Sequence, residues 1–465
     1  MAIHVKTPDD GAVTRFGERF RGELLRPGDA GYDEARSIWN GMIDRRPAVI
    51  ARCAGVADVI EAVNFARENG ALVSVMGGGH NVAGNAVCDD GVVIDLSRMR
   101  SVRVDPSRRT ARVEPGVTLA ELDHETQAFG LATPVGFNST TGIAGLTLGG
   151  GFGWLSRKYG MTVDNLASAD VVTADGELVR ASEEENRDLL WGIRGGGGNF
   201  GVVTSFEFRL HDVGPEILSG VIVHPHDEAA DVLRFVREFN AEAPDDLVVW
   251  FVLRKAPPLP FLPEDAHGTD VLVLAAFYAG DPAEGEAAMV PLREFGEPIA
   301  DAIGPHRYTE WQQAFDPLLE PGARNYWKSH NFADLTDEAI DTAVEHAARL
   351  PSPQTELAFA RLGGAVTRVP ADATAYPHRD AEYVMNVHTR WEDPAHDDEC
   401  VAWAREFYDA MAPHALVGTY VNFISEGKGE ESLAYGDNYE RLAELKREYD
   451  PTNLFRMNQN VEPAD

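Results

Sequence analysis

Apolar residues recur along this chain with two periods, and segments of each kind alternate. Val59, Ile60, Val63, Phe65 and Ala66 share one side of a helix over Val56 to Asn69, closed by Gly70. Leu72 to Val75 and Val92 to Leu96 are short apolar runs of the kind that form buried strands. The spacing predicts a hairpin over 101–114 turning at Asp105–Arg109, a helix from Thr118 to Phe129 ended by Gly130, and a strand pair over 168–181 turning at Ala174–Gly176. Asp188 to Arg194 reads as a short helix and Val202 to Leu210 as a strand. Past His211, strands at 218–224, 247–254, 271–278, 355–361 and 383–391 alternate with amphipathic helices at 227–240, 336–349 and 395–412. This order predicts an α+β protein: a first domain of strands and helices, then a domain with a large antiparallel sheet covered by helices on one face. The expected boundaries are 1–212 (core 44–212), 213–423, and a segment 424–465 whose helix over 437–449 returns the chain to the first domain. Residues 1–30 show no periodicity and read as a loosely packed lead-in.

A chain of 465 residues with 44% hydrophobic content is large enough for these domains. Its 41 basic against 75 acidic side chains, a formal charge of −34, oppose binding to nucleic acid or an anionic membrane. Dense carboxylate with little lysine is the composition of a salt-adapted, halophilic surface, and also of an ordinary acidic protein from GC-rich coding sequence; both stay open. Three distant cysteines fit neither a disulfide framework nor a zinc site. The first twenty residues lack the apolar core of a signal peptide, which predicts a cytoplasmic protein.

Two glycine-rich stretches change the picture. In LVSVMGGGHNVAGN (72–85) a strand runs into Gly77, Gly78 and Gly79, a bend in which backbone N–H groups can cradle an anion, followed by His80. The second, GFNSTTGIAGLTLGGGFG (136–153), sits in an uncharged run from Ala128 to Ser156 suited to lie against a large flat molecule. A third, Gly195 to Gly201, matches GxGxxG at Gly196, Gly198 and Gly201. It follows a predicted helix and opens a strand, the reverse of a nicotinamide-binding turn. No metalloprotease, hydrolase-elbow or P-loop motif occurs, and no metal site is expected.

With VIDLSRM (93–99), WLSRKYGMTVDNL (154–166), GGGGNFGVVTSFEF (195–208), YVN (420–422) and YDPTNLFRMNQN (449–460), these stretches resemble, from Tyr32 to Val461, the berberine bridge enzyme-like oxidases. These belong to the vanillyl-alcohol oxidase superfamily, with its PCMH-type FAD-binding domain. The resemblance implies FAD joined covalently through His80 to the flavin 8α-methyl carbon. It assigns the cofactor to Met76, Gly77, Gly78, Gly79, His80, Asn81, Gly84, Asn138, Thr140, Thr141, Gly142, Gly145, Gly149, Gly150, Gly151, Trp154, Val203 and Asn458. Asn138 stands where many relatives carry a second, cysteine link, so one tether is expected, as in the 6-hydroxy-D-nicotine oxidase-type members. Met76 stands where relatives usually carry arginine, which leaves the pyrophosphate to backbone donors.

For catalysis the resemblance points to Tyr420, a candidate base, and Asn422, which alternation would place on one strand face. Period-2 geometry on 383–391 likewise groups Val384, Asn386, His388 and Arg390, of which Asn386 and His388 are the catalytic candidates. The implied reaction is hydride transfer to flavin from a C–H beside an alcohol or amine nitrogen of a small-molecule substrate, with O₂ as acceptor. A dehydrogenase with another acceptor and a flavin-binding protein without turnover are the alternatives.

Overall fold

The computed structural model describes residues 6–426 and 429–465. Its first lobe contains two sheets. In one, Val49–Arg52 and Val73–Met76 flank Val92–Asp95 in parallel, because the helix Val56–Asn69 carries the chain back over one face; Glu23–Leu25 closes the edge antiparallel. The other is antiparallel, in the order Val102–Asp105, Thr110–Val113, Val202–Arg209, Leu166–Val172, Leu178–Ser182.

The lead-in is not loose. Asp9 caps a helix, Asp10–Gly17, by accepting the Ala12 N–H at 2.8 Å, and Phe16 stacks on Phe65 at 4.4 Å between ring centroids. One short helix burying only Ala12, Val13 and Phe16 carries too brief a pattern to register as periodic.

The second lobe is the large antiparallel sheet expected. Its strands run Ala300–Asp301, Glu216–Pro225, Asp270–Tyr278, Leu247–Lys255, Glu356–Arg361, Tyr383–Trp391, Arg324–Phe332, with Gly304–Arg307 also paired to Glu216–Pro225. One face packs Leu247, Val249, Phe251, Leu274, Phe359, Met385 and Val387 against the helices Ala229–Glu242, Asp337–Ala347 and Asp397–Met411. The other face, with Trp250, Phe277 and Val384, meets Phe152 and Trp154 of the first lobe. Arg324–Phe332 is a strand that alternation does not reveal. It carries polar residues on both faces, yet seven of its nine positions are buried.

The C-terminal helix Tyr439–Tyr449 returns to the first lobe, where a buried ion pair fixes the tail. Lys446 Nζ donates to Asp450 at 2.7 Å and to the carbonyls of Asn199 (2.8 Å) and Phe455 (2.9 Å). The Asp450 carboxylate accepts the N–H groups of Leu454 and Phe455. Among the described residues, no helix is long and apolar enough to cross a membrane, and no cluster of three or more metal-ligating side chains occurs.

Candidate active site

The two glycine bends touch. A Cβ on Gly78 would lie 2.6 Å from Gly142 Cα, and one on Gly142 would lie 2.5 Å from Gly78 N, so neither position admits a larger residue without moving backbone. Gly79 turns the chain at φ 67°, where glycine is favoured. The bends form one wall of a cleft enclosing about 1780 Å³ of empty space between the lobes.

His80 stands at the end of the first bend. Its ring stacks on Trp39 at 4.4 Å and 21°, and Trp39 is held by its own N–H to the Gly79 carbonyl and its indole N–H to Leu319 O. Burial, with the nearby charges of His388 and Arg390, pushes the imidazole down to about 4, so the ring is neutral at pH 7 and keeps a lone pair. Its Nε2 is buried and has no hydrogen-bond partner among the described residues.

Of the expected cofactor residues, Gly77, Gly78, Gly79, His80, Asn81, Asn138, Thr141, Gly142, Gly145, Gly149, Val203 and Asn458 line the cleft. Six do not. Val73 and Val75 face the cleft, so alternation turns Met76 the other way, into a cluster with Leu25, Tyr32 and Ile50. Gly84 backs onto Ile43, with no room for a Cβ. Thr140 is exposed and gives its hydroxyl proton to Asn138 at 2.6 Å. Gly150 and Gly151 lie one layer behind, against Tyr420 and Thr162. Trp154 lines an adjoining hollow instead. No cysteine is among the residues lining the cleft; Cys53, Cys88 and Cys400 are buried free thiols.

All four catalytic candidates reach the cleft. Tyr420 and Asn422 do so from a single 3₁₀ turn, Val421–Phe423, not from the strand expected, and the Asn422 amide donates to the Tyr420 hydroxyl at 3.1 Å. That hydroxyl also accepts the Gly151 N–H at 3.0 Å. Burial pushes the phenol up to about 12, so Tyr420 keeps its proton at neutral pH and serves as a donor there, not as a base. Asn386 and His388 come from the strand Tyr383–Trp391, every residue of which is buried; the same face places Arg390 under Trp39, 5.3 Å from its ring.

Several contributors have no sequence signal. Trp39, Phe137 and Trp327 line the cleft from separate segments, and Phe455, Met457 and Gln459 accompany Asn458 in the tail. Behind His388, the carboxylate of Glu356 accepts from Nδ1 at 2.9 Å and from Arg254 at 2.6 Å. The side chains of Asn386, His388, Asn458 and Gln459 each hold buried polar atoms without a partner among the described residues. A cleft with a glycine cradle too tight for a Cβ and such unmet polar groups fits a large, flat, polar-edged cofactor.

This is the site of a flavin-dependent oxidoreductase, and comparison with known proteins gives the same class. Residues 47–182 match the family model "FAD binding domain" and residues 419–462 match "Berberine and berberine like". The chain is 33% identical over 460 residues to (R)-6-hydroxynicotine oxidase of Paenarthrobacter nicotinovorans, covering 95% of this chain and 97% of that one. It is 30% identical to an FAD-linked oxidoreductase of Dictyostelium discoideum, covering 97% of each. The crystal structure of 6-hydroxy-D-nicotine oxidase from Arthrobacter nicotinovorans superposes with a TM-score of 0.85 at 30% identity, over 96% of this chain and 98% of that one. The chain belongs to the berberine bridge enzyme-like FAD-linked oxidoreductases.

Proposed function

We propose that the protein is an oxidase with FAD tethered through His80 alone, taking hydride from a C–H beside an alcohol or amine nitrogen and passing the electrons to O₂. The observation that carries this reading is His80 itself, a buried neutral imidazole with an unpartnered nitrogen at the end of a bend made of glycine. Bound FAD supplies the hydride acceptor. Gly77 to Gly79 and Gly142 offer close backbone approach to its phosphates, and Asn458 and Gln459 offer amides to its polar edge. Asn138, with a carboxamide engaged by Thr140, supplies no thiol for a second link. Tyr420 presents a phenol oriented by Gly151 and Asn422, and Asn386 an amide, on the substrate side. The oligosaccharide and nicotine-type relatives, among them xylooligosaccharide oxidase of Thermothelomyces thermophilus at 30% identity, support a small-molecule substrate.

Acid precipitation tests the tether: a yellow pellet from the wild type and a colourless one from His80→Ala is the expected result, and dissociable flavin in the wild type overturns it. Anaerobic bleaching by a substrate, with fast recovery in air, tests the oxidase. Recovery that needs an added dye makes it a dehydrogenase, and no bleaching by any alcohol, amine or sugar makes it a flavin carrier.

A further inference from the structure

A second hollow of about 1700 Å³ opens off the cleft, sharing Phe137, Phe152, Leu319, Asn386, His388 and Phe423 with it. It runs between the large sheet and the first lobe, and its walls are of one kind. Trp154 stacks on Trp250 at 4.3 Å and on Phe315 at 6.0 Å, and the sheet adds Val221, Val223, Val252 and Val273. Polar side chains are confined to its two ends: Glu310 and His306 at one, and Arg254, Glu356, Asn386 and His388 at the other. A sugar carries a hydroxyl donor on nearly every carbon, and between the ends no side chain would accept it. An apolar body fits.

The inner end is one rung of the sheet. Arg254, Glu356, His388 and Trp327 are direct partners on four adjacent strands. Glu356 is buried; burial alone would raise its carboxyl, but Arg254 and His388 outweigh it and hold the group down at about 2, ionised. A carboxylate 2.9 Å from Nδ1 fixes the proton on that nitrogen and leaves Nε2 as the acceptor. That Nε2 is buried and without a partner among the described residues, where the hollow meets the cleft. The charged and titratable groups around it are Glu356, Arg254, Arg390 and the neutral His80. With two guanidiniums against one carboxylate, the surroundings disfavour an incoming ammonium.

We propose that the substrate is a neutral alcohol on a bulky apolar body, and that His388, positioned by Glu356, is the base that takes its hydroxyl proton. In this step the O–H bond breaks with its proton passing to His388 Nε2. The carbinol C–H bond breaks with its electron pair leaving as hydride to the flavin, and the C–O bond becomes C=O. The alcohol is oxidised by two electrons and the flavin reduced by two. This rests on the flavin-oxidase reading above and fails separately from it.

A phenol tests the base without turnover, because it offers an O–H on an apolar ring and no carbinol hydrogen. 4-Nitrophenol is titrated into the holoenzyme at a pH below its own pKa, with tryptophan quenching for binding and the phenolate band for proton transfer. The wild type is expected to show the band. His388→Asn abolishes it, and Glu356→Gln lowers it at least tenfold with quenching retained. Retained flavin and an unchanged melting temperature identify folded variants, and Glu356→Asp, which keeps the charge, is expected to recover part of the band. An unchanged band in His388→Asn or Glu356→Gln, or neutral phenol bound by the wild type, overturns the base. Anaerobic bleaching by 4-biphenylmethanol, 4-biphenylmethylamine and xylobiose tests the substrate class. The alcohol is expected to react at least tenfold faster than either of the others. Faster bleaching by the amine or xylobiose, or by none of the three, overturns the class while the flavin reading stands. Protein that binds no flavin removes that reading instead.

Discussion

Replacing Lys446 with methionine isolates what holds the tail against the first lobe. The ammonium is fully buried and makes three short hydrogen bonds, one to Asp450 and two to the carbonyls of Asn199 and Phe455. Methionine keeps most of the volume but leaves the Asp450 carboxylate buried without its counter-charge, a loss of about 3–5 kcal/mol for a pair broken from one side. For a domain of about 150–250 residues, each kcal/mol moves the melting midpoint by about 2–4 °C, so the variant should melt roughly 6–20 °C below the wild type. Because Phe455, Met457, Asn458 and Gln459 follow from the clamped turn into the cleft, flavin content should fall with stability. Differential scanning calorimetry and the flavin-to-protein absorbance ratio measure both. Adding Asp450→Asn should restore part of the lost stability, since the orphaned charge is then gone. A midpoint shift below about 2 °C in Lys446→Met would refute the reasoning, since it would mean that the buried carboxylate does not need its partner.

Two further outcomes follow from the geometry. Asp123 is buried with only Gln312 donating to it, and burial pushes its carboxyl up to about 7. The folded protein therefore binds a proton there that the unfolded chain releases near pH 4, and stability falls as pH rises from about 4 through 7. Asp123→Asn should flatten that fall, gaining at most about 4 kcal/mol at pH 8 and little at pH 4 in urea melts; an equal gain at both pH values would argue against it. Gly78→Ala places a methyl 2.6 Å from the Gly142 backbone and should yield folded protein depleted of flavin, read from the absorbance ratio; a fully loaded variant would show that the two bends can part.

Much of this was legible in the sequence where local rules decide the outcome. The helix Val56–Asn69 ends at Gly70 as its period and its glycine dictate, and the bend before His80 is where three glycines require it. The face of Tyr383–Trp391 carrying Asn386 and His388 follows from alternation alone. What stayed hidden depends on long-range pairing. Nothing local marks Trp39 as the ring that stacks on His80, or Glu356 as the partner of His388; both depend on which strands and loops become neighbours. The strand Arg324–Phe332 was invisible because it is buried on both faces while polar on both. Tyr420 and Asn422 share a side as expected, by way of a tight turn rather than a strand.

The position of the loop 256–263 has a bearing on how such an enzyme changes over time. Pro257, Leu259, Phe261 and Leu262 form the outer lip of the apolar hollow from a segment that pairs with no strand. The groups at the inner end are instead locked by the register of the sheet. Mutations in the lip can therefore redraw what is admitted while the reacting end stays where it is, so this lineage can acquire new preferences without rebuilding its chemistry.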